Sequence, residues 1–146
     1  MELSRLLDIR PGVTAVIGGG GKTTLLRTLG EELSRTRTVL LCTTTRIFPF
    51  PDLPCARTAA ELDRLRREHR LLCAGTEVPG TGKLTAPALP MADLAERFDY
   101  VLVEADGAAR FGYLRFHSGM VEVTALPAET EPDWQAGTEW SWEFRE

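Results

Sequence analysis

Lysine is almost missing from this sequence. Of its 17 basic side chains only Lys22 and Lys83 are lysines; the rest are arginines. The net charge is -4, so there is no basic surplus to draw the chain onto nucleic acid or an anionic membrane. Cysteine is scarce as well. Cys42, Cys55 and Cys73 are odd in number and lack metal-ligand spacing, which leaves reduced, partly buried thiols as the plain reading. No apolar run reaches the length of a membrane span, and residues 1–20 lack the charged-then-apolar order of a secretion signal. The expected compartment is therefore the cytoplasm. Repeats and low-complexity tracts are absent. The two histidines, His69 and His117, have no evident partners and read as structural or exposed rather than catalytic.

What is present is ordinary for a soluble globular domain. The 146 residues are 43% hydrophobic and 26% charged, enough to bury one core without staples. One of the two lysines sits in a run of glycines, where an ammonium acts as a compact point charge rather than arginine's wide fork.

Val13 to Ile17 form a short, continuous β-branched and apolar run, as a strand buried on both faces should. From Lys22 the pattern changes: Leu25, Leu26, Leu29 and Leu33 recur at helical spacing. Thr38 to Cys42 form a second buried-strand candidate leading into Thr43, Thr44, Thr45 and Arg46, then a loop with Pro49, Pro51 and Pro54. Thr58, Ala59, Ala60 and Glu61 form a capping box that predicts a helix through about His69. Its arginines, interleaved with Asp63 and Glu68, read as a solvated face, with a basic docking site as the competing reading. Leu71 to Ala74 predict a third strand, residues 75–88 a loop or short hairpin around Lys83, and Pro90 to Arg97 a helix. Tyr100 to Val103 predict a strand that ends at Glu104, Ala105, Asp106 and Gly107. Strands alternating with helices predict an α/β fold, a mostly parallel sheet with helices on both faces.

The segment Gly18-Gly19-Gly20-Gly21-Lys22-Thr23-Thr24 lies between the first strand and the first long helix. A strand that turns through glycines into a helix N-terminus converges several backbone N–H groups on one spot, and the helix dipole adds positive charge. Such a loop cradles nucleotide phosphates. Lys22 would reach the β- and γ-phosphates, the Thr23 hydroxyl would ligate Mg²⁺, and Thr24 would support the first turn. The strict motif wants glycine at position 16, where this chain has Val16, and Ile17 stands where a deviant form carries a second lysine. The competing reading is a glycine-rich turn without a ligand.

A phosphate site needs an acid at the end of a neighbouring strand. Glu104 and Asp106 fill that place and, by alternation, would share one face while Ala105 points away. They are the candidates for metal binding and, with Lys22, for catalysis; an ordinary acidic turn is the alternative. Thr43, Thr44, Thr45 and Arg46 follow a strand whose C-terminal end shares the ligand-binding edge of a parallel sheet. They could line the site for the γ-phosphate or a second substrate, or form a threonine-rich strand end with a surface arginine.

Taken in order, these segments resemble the YqeC-type proteins, accessory proteins of selenium-dependent molybdenum hydroxylases. The residues that carry the resemblance are Val16 to Thr24, Thr43-Thr44-Thr45-Arg46-Ile47 with the prolines after it, and Val101 to Gly107. The shortened glycine loop is what that family's loop looks like. The resemblance covers roughly residues 1–110 and implies a three-layer P-loop NTPase-like domain, cytoplasmic, binding ATP or GTP with Mg²⁺. It also implies a part in maturing a selenium-containing cofactor, with the hydroxylase or its maturation factors as partners. After Gly107 the chain departs from the family: the expected Lys-Pro-rich and His-Glu-Pro segments are missing. From Met120 to Glu146 come seven acids, one arginine and all three tryptophans, Trp134, Trp140 and Trp142. The expected organisation is a nucleotide-binding domain over 1–119 and an acidic, Trp-containing tail over 120–146. The C-terminal part is then truncated or divergent and the sheet smaller. Two other functions stay open: a small-molecule kinase on the same fold, and a non-catalytic nucleotide-binding or partner-binding module.

Overall fold

The computed structural model describes residues 3–18, 22–105, 112–117, 120–125 and 138–143. Its backbone is a sheet in the order β10-β9-β8-β1-β7-β2-β4-β3. Here β1 is Gly12–Gly18, β2 Val39–Thr43, β3 Cys55–Ala56, β4 Leu71–Ala74 and β7 Tyr100–Glu104. These five run parallel to their neighbours, as strand-helix alternation predicts. The strand β8 (Gly112–His117) joins β1 in parallel, while β9 (Met120–Ala125) and β10 (Thr138–Glu143) continue the edge antiparallel. The sheet therefore extends past β1, and β9 and β10 fall within the stretch read as a tail. A separate antiparallel hairpin pairs β5 (Thr76–Glu77) with β6 (Leu84–Thr85).

The central strands are buried on both faces, and their alternation divides the core in two. Val16, Val39, Leu41, Cys73 and Leu102 face one cluster with Leu25, Leu26 and Leu29 of α2 (Lys22–Leu33) and Leu7, next to α1 (Leu3–Leu6). Leu40, Cys42, Leu72, Val101 and Val103 face the other, with Leu62 and Leu65 of α3 (Ala59–Leu65) and Leu94 of α4 (Met91–Arg97). Helices thus cover both faces of the sheet. Fully burying each leucine is worth roughly 1.5–3 kcal/mol, so these two clusters supply the main driving force.

Local signals set the helix ends. Thr58 caps α3 by accepting the Glu61 N–H at 3.1 Å. That helix stops at Leu65, earlier than the expected His69, because residues 66–68 tighten into turns in which Arg67 and Glu68 donate to the carbonyls of Arg64 and Leu65. Gly75 marks the approach of the hairpin: a Cβ there would lie 2.7 Å from both Leu84 Cβ and the Thr85 carbonyl oxygen. Among the described residues no helix is long and apolar enough to cross a membrane.

Candidate functional site

Parity along the strands selects what reaches the α2 face at the C-terminal edge of the sheet. On β7, Tyr100 and Leu102 pack toward α2, so Glu104 follows on the same side. The register places Val16 of β1 and Thr43 of β2 directly beside Glu104, on its two flanks. The backbone at this point is bolted on both sides. Ala105 donates its N–H to the Val16 carbonyl at 3.0 Å, and the Glu104 carbonyl accepts from the Thr44 N–H and the Thr43 hydroxyl, each at 3.0 Å. Thr43 is fully buried, and its oxygen also accepts the Thr45 N–H at 3.0 Å. Its hydroxyl is thus the clamp that fixes both strand ends.

Lys22 opens α2, and its Nζ lies 3.7 Å from Glu104 Oε1. Both side chains are largely buried, 15% and 12% exposed. The second carboxylate oxygen, Glu104 Oε2, is buried and has no hydrogen-bond partner among the described residues. A buried carboxylate oxygen left without a donor is costly, so this one marks a position where a cation or donor would be welcome. Gly18 ends β1 just before α2. Thr23 and Thr24 lie exposed in the first turn of the helix. Gly19, Gly20, Gly21 and Asp106 lie outside the described residues. Among the described residues, no three or more His, Cys, Asp and Glu gather into a metal cluster.

Two features lie beside the site, the second of them the short hairpin that residues 75–88 predict around Lys83. The first is a strap over residues 44–53. Arg27 of α2 pairs with Asp52 at 2.5 Å and with Glu31 at 2.9 Å, and its guanidinium lies 5.9 Å from the Phe50 ring centroid. The Arg27 guanidinium holds the Asp52 carboxyl below the usual carboxylate range. The second is the β5–β6 hairpin, which adds its outer strand to the strap. Ile47 and Leu84 exchange backbone hydrogen bonds at 2.9 and 2.7 Å, and the Thr85 hydroxyl donates to the Thr45 carbonyl at 2.7 Å. Arg46 lies exposed on this strap, and Phe48, 62% exposed, carries the Lys83 ammonium 5.1 Å from its ring centroid. The alternation of Ile47 in and Phe48 out was the available signal, but the prolines that follow, Pro49, Pro51 and Pro54, hid it.

The family model described as YqeC protein matches residues 14–113. No curated protein and no solved structure matched the chain. The matched span runs from within β1 through the Lys22 helix to the clamped end of β7. The chain belongs to the YqeC family.

Proposed function

We propose that this protein is a P-loop NTPase-like nucleotide-binding protein that serves as an accessory factor in maturing selenium-dependent molybdenum hydroxylases. The observation that carries the nucleotide reading is the meeting of Lys22 and Glu104, one oxygen of which has no partner among the described residues, where a glycine run enters a 12-residue helix. Family membership supports the accessory role.

On this reading the N–H groups of residues 19–22 and the Lys22 ammonium stabilise charge on the β- and γ-phosphates of ATP or GTP. Lys22 is now paired with Glu104, so phosphate binding draws the ammonium away from that carboxylate. Thr23, Glu104 and Asp106 are the residues that would hold Mg²⁺, and the buried, unpaired Glu104 oxygen suits such a donor set. Bound there, the ion would supply positive charge against the phosphate oxygens. The Thr43 clamp keeps Glu104 from shifting when its lysine leaves, and a fixed carboxylate can orient an attacking water.

Phosphate release should be followed with ATP and GTP for the native protein, Lys22→Ala and Glu104→Gln. Lys22→Ala should abolish both binding and release. Glu104→Gln should bind nucleotide and release no phosphate. Nucleotide binding without release in the native protein would identify a non-catalytic module, and transfer to an added acceptor a kinase. Native protein that binds neither nucleotide would overturn the reading.

A further inference from the structure

Two of the three cysteines meet at the far edge of the sheet, away from the Lys22–Glu104 pair. Cys55 lies in β3, the two-residue strand that closes the edge, and it is in register with Cys73 of β4. Neighbouring strands run about 4.7–4.9 Å apart. That lies inside the Cα separation of roughly 4.4–6.8 Å that a disulfide spans. Both side chains face the same core cluster, so their sulfurs share one side of the sheet. Cys42 faces the opposite cluster and has no part in the pair. All three are free thiols, Cys73 buried and Cys55 half-buried.

We propose that Cys55 and Cys73 form a two-cysteine modification site, with Cys55 the thiol reached by a small disulfide oxidant and Cys73 the thiol that resolves it into an intramolecular bridge. Access sets this division, because Cys55 is half-buried and Cys73 is buried. Cys73 Sγ accepts hydrogen bonds from the Cys55 thiol and from the Phe50 backbone N–H, and the Arg57 charge lies close to both. These donors lower the Cys73 thiol and favour its thiolate, while its acceptance of the Cys55 proton raises Cys55. Cys42, by contrast, is pushed up to about 12 by burial and the neighbouring Cys73, and stays an inert thiol.

The exchange balances as two attacks. Cys55 loses its proton to solvent and attacks one sulfur of oxidised glutathione, the S–S bond of the reagent breaks, and one glutathione thiolate leaves. Cys73 then loses its own proton to solvent and attacks the Cys55 sulfur of the mixed disulfide, expelling the second glutathione thiolate. Two protein thiols are oxidised to one disulfide, and one glutathione disulfide is reduced to two thiols. The bridge would pin β3, and with it the end of the strap over residues 44–53, to β4.

The test treats the full chain with oxidised glutathione, blocks remaining thiols after unfolding, and maps tryptic peptides by mass. Cleavage at arginine and lysine leaves Cys42, Cys55 and Cys73 on three different peptides, because Arg46, Arg57 and Arg70 separate them. The expected product is lighter by two hydrogens and joins the Cys55 and Cys73 peptides, with Cys42 blocked as a free thiol, and a small dithiol reverses it. Cys73→Ser should stop at a glutathione adduct on Cys55, and Cys55→Ser should take up no glutathione. Three free thiols after treatment, a stable adduct without a bridge in the native chain, or a bridge through Cys42 would each overturn the proposal.

Discussion

Glu104 shows how much one residue's placement depends on its neighbours in the strand. Alternation along Tyr100–Glu104 puts its carboxylate on the α2 face, whereas the sequence predicts only that it lies on the face opposite Ala105. The ion pair with Lys22 was not legible, because it depends on a nonlocal crossover that brings β7 beside β1. Removing one member of a largely buried pair strands the other, which costs roughly 3–5 kcal/mol when the site is fully closed. Lys22→Ala should therefore lower the urea midpoint of unfolding, and adding Glu104→Gln to it should recover a good part of the loss. A single Lys22→Ala that unfolds like the native chain would mean that the two charges do not depend on each other. Thr43 was read as a site-lining hydroxyl; the buried hydrogen bonds it makes to the end of β7 give it a structural task as well. Such a task cannot be seen in a run of three threonines.

At the scale of elements, the helices and long strands were legible wherever a period or a cap stood in the sequence. The leucines of α2 recur at helical spacing, and Thr58 with Glu61 opens α3. Replacing that cap should cost about 1 kcal/mol, so Thr58→Ala is expected to lower the thermal midpoint by a few degrees, checked by circular dichroism. The strap over residues 44–53 and the two-residue β3 were not legible. Their order comes from Arg27, Phe50 and Leu84, contacts that join distant parts of the chain. Gly75 is the sharpest test of that arrangement. An added methyl would meet Leu84 and the Thr85 carbonyl at 2.7 Å, so backbone must move. Gly75→Ala should lose about 1–3 kcal/mol by chemical denaturation, the usual cost of overpacking. A neutral effect would show that the hairpin does not pack against this position.

For the whole molecule, fold class followed from strand-helix alternation, and the buried central strands confirm it by dividing the core into two faces. The continuation of the sheet through β8, β9 and β10 was not legible, because the acidic composition after Met120 reads as a tail and because β8 depends on β1, β9 on β8 and β10 on β9 for its pairing. Sensitivity to acid is predicted from three carboxylates, Asp52 and Asp99 exposed and Asp63 half-buried. Asp52 is lowered by Arg27, Asp63 by Arg66 and Arg97, and Asp99 by the Thr38 backbone N–H and hydroxyl. Each is lower in the folded state than its ordinary value of 3.8, so the stability it adds is present above that value and lost as pH falls through the folded pKa. Urea midpoints should therefore not change on their account from pH 7 to 5 and should fall below about pH 4. Replacing all three with asparagine should flatten that fall.

The most direct test of the central claim is calorimetric titration of the whole chain with ATP and GTP, with and without Mg²⁺, beside Lys22→Ala. The expected result is saturable binding of at least one nucleotide by the native chain, strengthened by Mg²⁺ and lost in the variant. Absence of heat with both nucleotides under both conditions, or equal binding by Lys22→Ala, would contradict the assignment of residues 18–24 as a phosphate cradle.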